Sequence, residues 1–352
     1  MNKVLILHAY SAENAGDGLL VSQAINLAKE ALGEQIEITI CASHPKSFAQ
    51  LSNIKILDSM PKWYGYNTRY LRTLFSARKF DVIIGVGGGY LRAGNYNEAL
   101  KTLLVHGPQL ICAAFNGRKS IYLPQSIGPI HRILKPTFYL LLSKLRNVFL
   151  RDNRSMSDFP VPTASRMADL AILEVFKNTE CKLELASLEP IFSVRFLNGI
   201  IPIGVLDLIS RFEIYDAYIQ STVRSNDDRP ATSLLRPQHI IPRENFIDRN
   251  NKPRVVIAMR LHAALMALAA GHFVIHLSYE RKGFGAFGDL GLPQYVHNVN
   301  NFCIDTIYSQ IHSLTEDIDV RSAYKKCIAS AKSKTLLEHD SILKHIRKLA
   351  TN

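Results

Sequence analysis

Arg260, Leu261 and His262 sit between two runs of different character. Val255 to Met259 is short, apolar and β-branched, which suits a buried strand. His262 to Ala270 is rich in Ala and Leu and reads as a helix, with Gly271 placed to end it. A second buried strand, Phe273 to Leu277, runs into Tyr279-Glu280-Arg281-Lys282. In an open parallel sheet both polar clusters fall at carboxyl ends of strands, where α/β proteins bind ligands. The helix start adds orphan N–H groups and partial positive charge. With Arg260, Lys282 and a titratable His262 around that point, the expected guest is an anion. The same residues would also serve as solvated charges on an ordinary turn.

The first half of the chain repeats this grammar. Lys3 to His8 reads as a strand, and Asn14, Gly16 and Asp17 lie in the turn before a helix from about Leu19 to Leu32. An amide and a carboxylate there can reach over a sheet edge, although one of the two is expected as a helix cap. Phe80 to Val86 reads as a strand entering Gly87-Gly88-Gly89-Tyr90, whose glycines let backbone approach a ligand. The pattern is neither a dinucleotide fingerprint nor a P-loop. Lys119 to Pro124 reads as a strand followed by a polar turn, Gln125-Ser126-Ile127-Gly128-Pro129. Asn147 to Leu150 reads as another, ending in Arg151-Asp152. Further on, Ser225 and Asp228 have the spacing of a capping box.

Strands thus alternate with helices in both halves, which predicts an α/β protein of two doubly wound, Rossmann-like domains facing a cleft. A chain of 352 residues also favours two cores. The expected division is 1–178, a linker opening near Asn178, a second domain 179–330, and a C-terminal helix 331–352 packing back. Net charge is +12, which can serve nucleic acid, anionic lipid or an anionic substrate. The charge is spread out and no nucleic-acid motif accompanies it, so no nucleic-acid partner is expected. His131 to Arg146 mixes bulky apolar with basic residues and is the best candidate for peripheral membrane contact, set against a core helix with basic ends. Cys41, Cys112, Cys181, Cys303 and Cys327 are scattered without CxxC spacing, which argues for a reducing compartment and against a zinc site. There is no transmembrane run and no signal-peptide cleavage pattern. The expected location is therefore cytoplasmic, at or near the inner face of the plasma membrane.

Seven motifs occur in order: Asn14-x-Gly16-Asp17, Gly87-Gly88-Gly89-Tyr90, Pro124 to Pro129, Arg151-Asp152-x-x-Ser155, Asp169-Leu170-Ala171, Arg260-Leu261-His262-Ala263 and Ser278-Tyr279-x-x-Lys282. Together they resemble the polysaccharide pyruvyl transferase family, from about Lys3 to Leu292 and most weakly between Cys181 and Asn251. The resemblance implies a GT-B-like fold and transfer of the enolpyruvyl unit of phosphoenolpyruvate onto a sugar, often as a cyclic ketal on a cell-surface glycan precursor. It implies phosphoenolpyruvate binding by Arg151, Arg260, Leu261, His262 and Lys282. Catalysis is expected from His262 as general acid and Asp17 as base or hydroxyl acceptor from the opposite domain, and acceptor contacts from Asn14, Gly16, Gly87, Gly88 and Gln125. The expected acceptor is a sugar or lipid-linked oligosaccharide. No cofactor or metal is expected, since phosphoenolpyruvate is itself the donor substrate. The competing readings are a glycosyltransferase using a nucleotide sugar, for which Glu280 is the tempting ribose carboxylate, and an inactive scaffold homologue.

Overall fold

Short runs rich in Val, Ile and Leu pair in parallel to make two sheets. The computed structural model describes the chain except Asn14, residues 177–181 and 223–226, and Asn352. Contacts group the rest into two units, 1–170 with 336–352, and 171–335. The division thus falls ahead of position 178, which itself lies among the residues outside the description.

The first unit is built on β1 (Lys3–Ala9), β2 (Glu37–Ala42), β3 (Lys55–Asp58), β4 (Val82–Gly85), β5 (Gly88–Ala93), β6 (Ser120–Ile130), β7 (Asn147–Leu150) and β8 (Ala164–Arg166). Their order is β3-β2-β1-β4-β6-β7-β8, with β5 also on β6. Every pairing is parallel. Val4, Leu5, Ile6 and Leu7 are all fully buried, as a strand covered on both faces demands. The strand order reverses between β1 and β4. Two stretches read as turns prove to be strand. Gly88 opens β5, and β6 runs on through Gln125 to Ile130, because the two segments pair with each other. The last helix, Ile318–Ala350, starts ahead of the expected position 331. Its final part belongs to this unit: His339 lies 3.5 Å from Glu30, and Arg347 donates to the Ala31 carbonyl at 3.2 Å.

The second unit carries β9 (Ile191–Ser193), β10 (Asp216–Ala217), β11 (Val255–Ala258), β12 (Phe273–Ser278) and β13 (Val296–Asn298), in the order β10-β9-β11-β12-β13. These too are parallel, and here the order reverses between β9 and β11. β10 is only two residues long, and Ile240 adds a single bridge to its Ala217. Gly271 does end the helix Leu261–Ala269. Its φ of +96° lets His272 N–H return to the Ala267 carbonyl at 2.9 Å.

Candidate active site

In the second unit the chain leaves β11 at Arg260, which occupies the N-cap position of the helix Leu261–Ala269. Its guanidinium does not cap. Nε and Nη2 instead donate to Asp228 Oδ2 and Oδ1, each at 2.7 Å. The Asp228 side chain is 1% exposed and that of Arg260 14%, so this is a buried, two-pronged pair. Burial pushes the Asp228 carboxyl above the usual carboxylate range, and Arg260 and then Arg195 pull it back. The capping-box expectation therefore changes. Ser225 is outside the described residues, and Asp228 is the N-cap residue of Arg229–Leu235 with no side-chain capping bond. Its carboxylate serves Arg260 and the Ser221 N–H, the latter at 3.2 Å.

His262 is the second residue of its helix and half-buried, whereas Leu261 is buried. Lys282 lies in the first turn of the helix Arg281–Asp289, 2.9 Å from Glu280. Glu280, the carboxylate a nucleotide sugar would need, is thus held by Lys282. Beneath this exit His276 is buried, with Nδ1 donating to the Ala258 carbonyl at 2.7 Å. Burial lowers it to about 4. Beside it opens a crevice of about 490 Å³, lined by Arg195, Tyr279, Glu280, Asn300 and the 196–198 loop.

The first unit holds Arg151, Asp17, Gly16, Gly87, Gly88 and Gln125. Arg151 leaves β7, donates Nη1 to Asp169 Oδ2 at 2.5 Å and Nε to Ser126 Oγ at 3.0 Å. A Cβ on Gly89 would sit 3.6 Å from its Nη2. Asp152 turns the other way, accepts from Ser155 N–H at 2.8 Å and starts the helix Asn153–Asp158. The Arg-Asp-x-x-Ser motif therefore splits into an ion-pairing residue and a cap. Gly87 admits no side chain, because a Cβ would meet the Pro124 carbonyl oxygen at 2.6 Å. Gln125 is fully buried, and neither atom of its amide has a hydrogen-bond partner. Gly16 and Asp17 lie in the first turn of the helix Ala15–Leu32, where a carboxylate suits the helix dipole. That turn follows β1 and Gly87 follows β4, the two strands flanking the reversal of order. Asn14 is outside the described residues.

Each cation assigned to the donor proves to have a carboxylate: Asp169 for Arg151, Asp228 for Arg260, Glu280 for Lys282. Sequence reading found the cations but not Asp228 as a counter-ion, since no local spacing links positions 228 and 260. Arg195 was missed for the same reason. Among the described residues no group of three or more His, Cys, Asp or Glu could hold a metal.

A family model described as polysaccharide pyruvyl transferase matches residues 14–281. The chain belongs to that family. No curated protein gives a significant match. Among solved structures, Anabaena HepE in complex with UDP and glucose superposes over 100% of both chains, with a TM-score of 0.61 and 12% identity. A Listeria monocytogenes protein described as a UDP-N-acetylglucosamine 2-epimerase covers 93% of this chain and 90% of its own, with a TM-score of 0.56 and 11% identity. The spinosyn forosaminyltransferase SpnP covers 99% of both, at 0.51 and 13%. Likeness at such identities defines the fold, a Rossmann-like α/β architecture of GT-B type, and not the ligands.

Proposed function

We propose that the protein transfers the enolpyruvyl unit of phosphoenolpyruvate to a sugar acceptor and closes it as a cyclic pyruvate ketal. The observation that carries this reading is the exit of β11. There Arg260, fixed by buried Asp228, meets the start of a nine-residue helix bearing His262. Phosphoenolpyruvate carries a phosphate and a carboxylate, and arginine binds both with a planar fork. His262 gives its proton to the methylene carbon, which becomes a methyl group and leaves C2 electrophilic. One sugar hydroxyl adds to C2 and releases its proton. The C2–O bond to phosphate then breaks, phosphate takes up that proton and departs as the monohydrogen ion, and a second hydroxyl adds to C2 to close the ring, its proton restoring His262. The glycine-lined exits of β1 and β4 suit the acceptor, with Asp17 as base or hydroxyl acceptor. Lys282, held by Glu280 at the neighbouring strand exit, is a further hydrogen-bond donor to phosphoenolpyruvate. Membership of the family supports this reading, and the Glu280–Lys282 pair weighs against a nucleotide sugar.

The segment from His131 to the helix Lys135–Ser143 exposes Ile133, Tyr139 and Leu140 beside Arg132 and Lys135. This favours contact with an anionic membrane, and hence a lipid-linked acceptor. No helix among the described residues is long and apolar enough to cross a membrane.

The test of the donor is a thermal-shift titration with phosphoenolpyruvate beside UDP, GDP and UDP-N-acetylglucosamine. A ligand at about 100 times its Kd stabilises the fold by about 2.7 kcal/mol, a shift of a few degrees. A shift with phosphoenolpyruvate alone is expected. A shift with a nucleotide and none with phosphoenolpyruvate would replace this reading with nucleotide-sugar transfer.

A further inference from the structure

Arg195 reaches the candidate site through register, not through a motif. Ser193 of β9 pairs with Ala258 of β11. Two residues beyond each lie Arg195 and Arg260, so two arginines leave adjacent parallel strands at the same level. The ladder holds one step past the strands, with Met259 N–H donating to the Ser193 carbonyl at 2.9 Å. These are the strands between which the sheet order reverses, the place where open α/β sheets bind ligands.

Ala258 pairs in turn with His276 of β12, and the exit of β12 carries Tyr279. Arg195 Nη1 donates to Tyr279 Oη at 3.0 Å, and its guanidinium carbon lies 5.3 Å from the ring centroid. Arg195 thus spans from one neighbour of β11 to the other, over the strand that ends in Arg260. Both arginines bear on Asp228, so one buried carboxylate faces two guanidiniums. Glu280 and Lys282 balance each other. Arg195, Tyr279, Asn198 and Asn300 line a crevice of about 490 Å³, within the size of small-molecule sites.

We propose that Arg195 reads the carboxylate of the donor. Arg260 and the N–H groups opening the helix Leu261–Ala269 take the phosphate, the group that a helix start and its dipole favour. Arg195, held through Nη1 by Tyr279 Oη and through Nε by the Phe196 carbonyl at 3.2 Å, presents its guanidinium to the planar carboxylate. The assignment rests on the phosphoenolpyruvate reading above and adds a residue that selects a phosphorylated carboxylic acid over a plain phosphate ester.

Isothermal titration of wild type, Arg195→Gln and Arg195→Lys with phosphoenolpyruvate, and separately with inorganic phosphate, tests it. Arg195→Gln is expected to weaken phosphoenolpyruvate by about 10- to 100-fold, as loss of a charge-assisted contact does. Phosphate affinity is expected to stay within about threefold, since no carboxylate is present to lose a partner. Arg195→Lys should fall between, and it carries the same comparison if Arg195→Gln does not fold. Equal losses for both probes would make Arg195 part of a general positive field and overturn the assignment. Unchanged phosphoenolpyruvate affinity would overturn it too, while leaving the donor reading standing. A wild type that binds phosphate but not phosphoenolpyruvate would overturn the donor reading and this inference together.

Discussion

Replacing Arg260 alone removes more than a ligand contact. It leaves Asp228, whose side chain is 1% exposed, without its bidentate partner. Deleting one member of a buried pair costs about 3–5 kcal/mol, against a total stability of about 5–15 kcal/mol for a typical protein. An Arg260→Ala variant that fails to bind phosphoenolpyruvate could therefore be failing to hold its fold. The pair is not itself a source of stability. Burial raises the Asp228 carboxyl more than Arg260 lowers it, so the charge is less comfortable here than in water. Exchanging both residues, Arg260→Met with Asp228→Leu, should then be neutral or stabilising by ~1–4 kcal/mol relative to wild type. Urea melts at pH 7 of wild type, Arg260→Met, Asp228→Leu and the double variant measure this cycle. Phosphoenolpyruvate titration runs beside them. The single Arg260→Met variant should be the least stable, the double should recover, and neither should bind the donor. Asp228→Asn should weaken donor affinity although so buried a side chain can hardly touch it, because it no longer fixes the guanidinium. Two results would refute the reasoning. One is an Arg260→Met variant within ~0.5 kcal/mol of wild type, the range of ordinary surface changes. The other is full donor affinity in Asp228→Asn.

Four further outcomes are expected. His262→Ala should lower turnover by about 10²–10⁴-fold, the usual weight of a general acid, with little change in melting; near wild-type turnover would remove His262 from that role. Burial lowers His106 to about 3 and both His272 and His276 to about 4, against 6.5 for an exposed imidazole. Since the folded values are depressed, their contribution is complete above pH 6.5 and is lost as pH falls towards 4, at up to about 1.4 kcal/mol per pH unit for each histidine; a melting temperature flat between pH 7 and 5 would contradict this. Gln125→Met removes a buried amide with no partner and should stabilise the fold by ~1–3 kcal/mol, and loss of acceptor turnover in that variant would tie the amide to the acceptor. Binding to anionic vesicles should fall as salt rises and weaken in Ile133→Ser/Leu140→Ser; absence of binding at low salt would dispose of the membrane contact.

Much of this was legible in the chain because it is local. Val255 to Ala258 is a strand for the reason the sequence suggests, a β-branched run covered on both faces. Leu261–Ala269 is a helix because Ala and Leu lose little on entering one, and Gly271 ends it. What misled was also local. Gly87-Gly88-Gly89 and Gln125 to Pro129 have turn composition, yet Gly88–Ala93 and Ser120–Ile130 are strands because each supplies the other's backbone partner. Similarly, Ser225 and Asp228 have capping spacing, yet the Asp228 carboxylate belongs to a guanidinium 32 residues away.

Sequence alone thus determined which residues could do chemistry: the cations Arg151, Arg260 and Lys282, His262 beside them, and their location at ends of parallel strands. Residue type and a few neighbours decide those matters. Tertiary structure decided which of them are paired and with whom. Asp169 meets Arg151 and Asp228 meets Arg260 only in the folded chain, and Arg195 comes level with Arg260 through the register of β9 on β11. Which strand exits lie side by side is set by burial of the whole sheet rather than by any stretch of the chain, and a side chain's charge partner depends on which distant segments that fold brings to the exit.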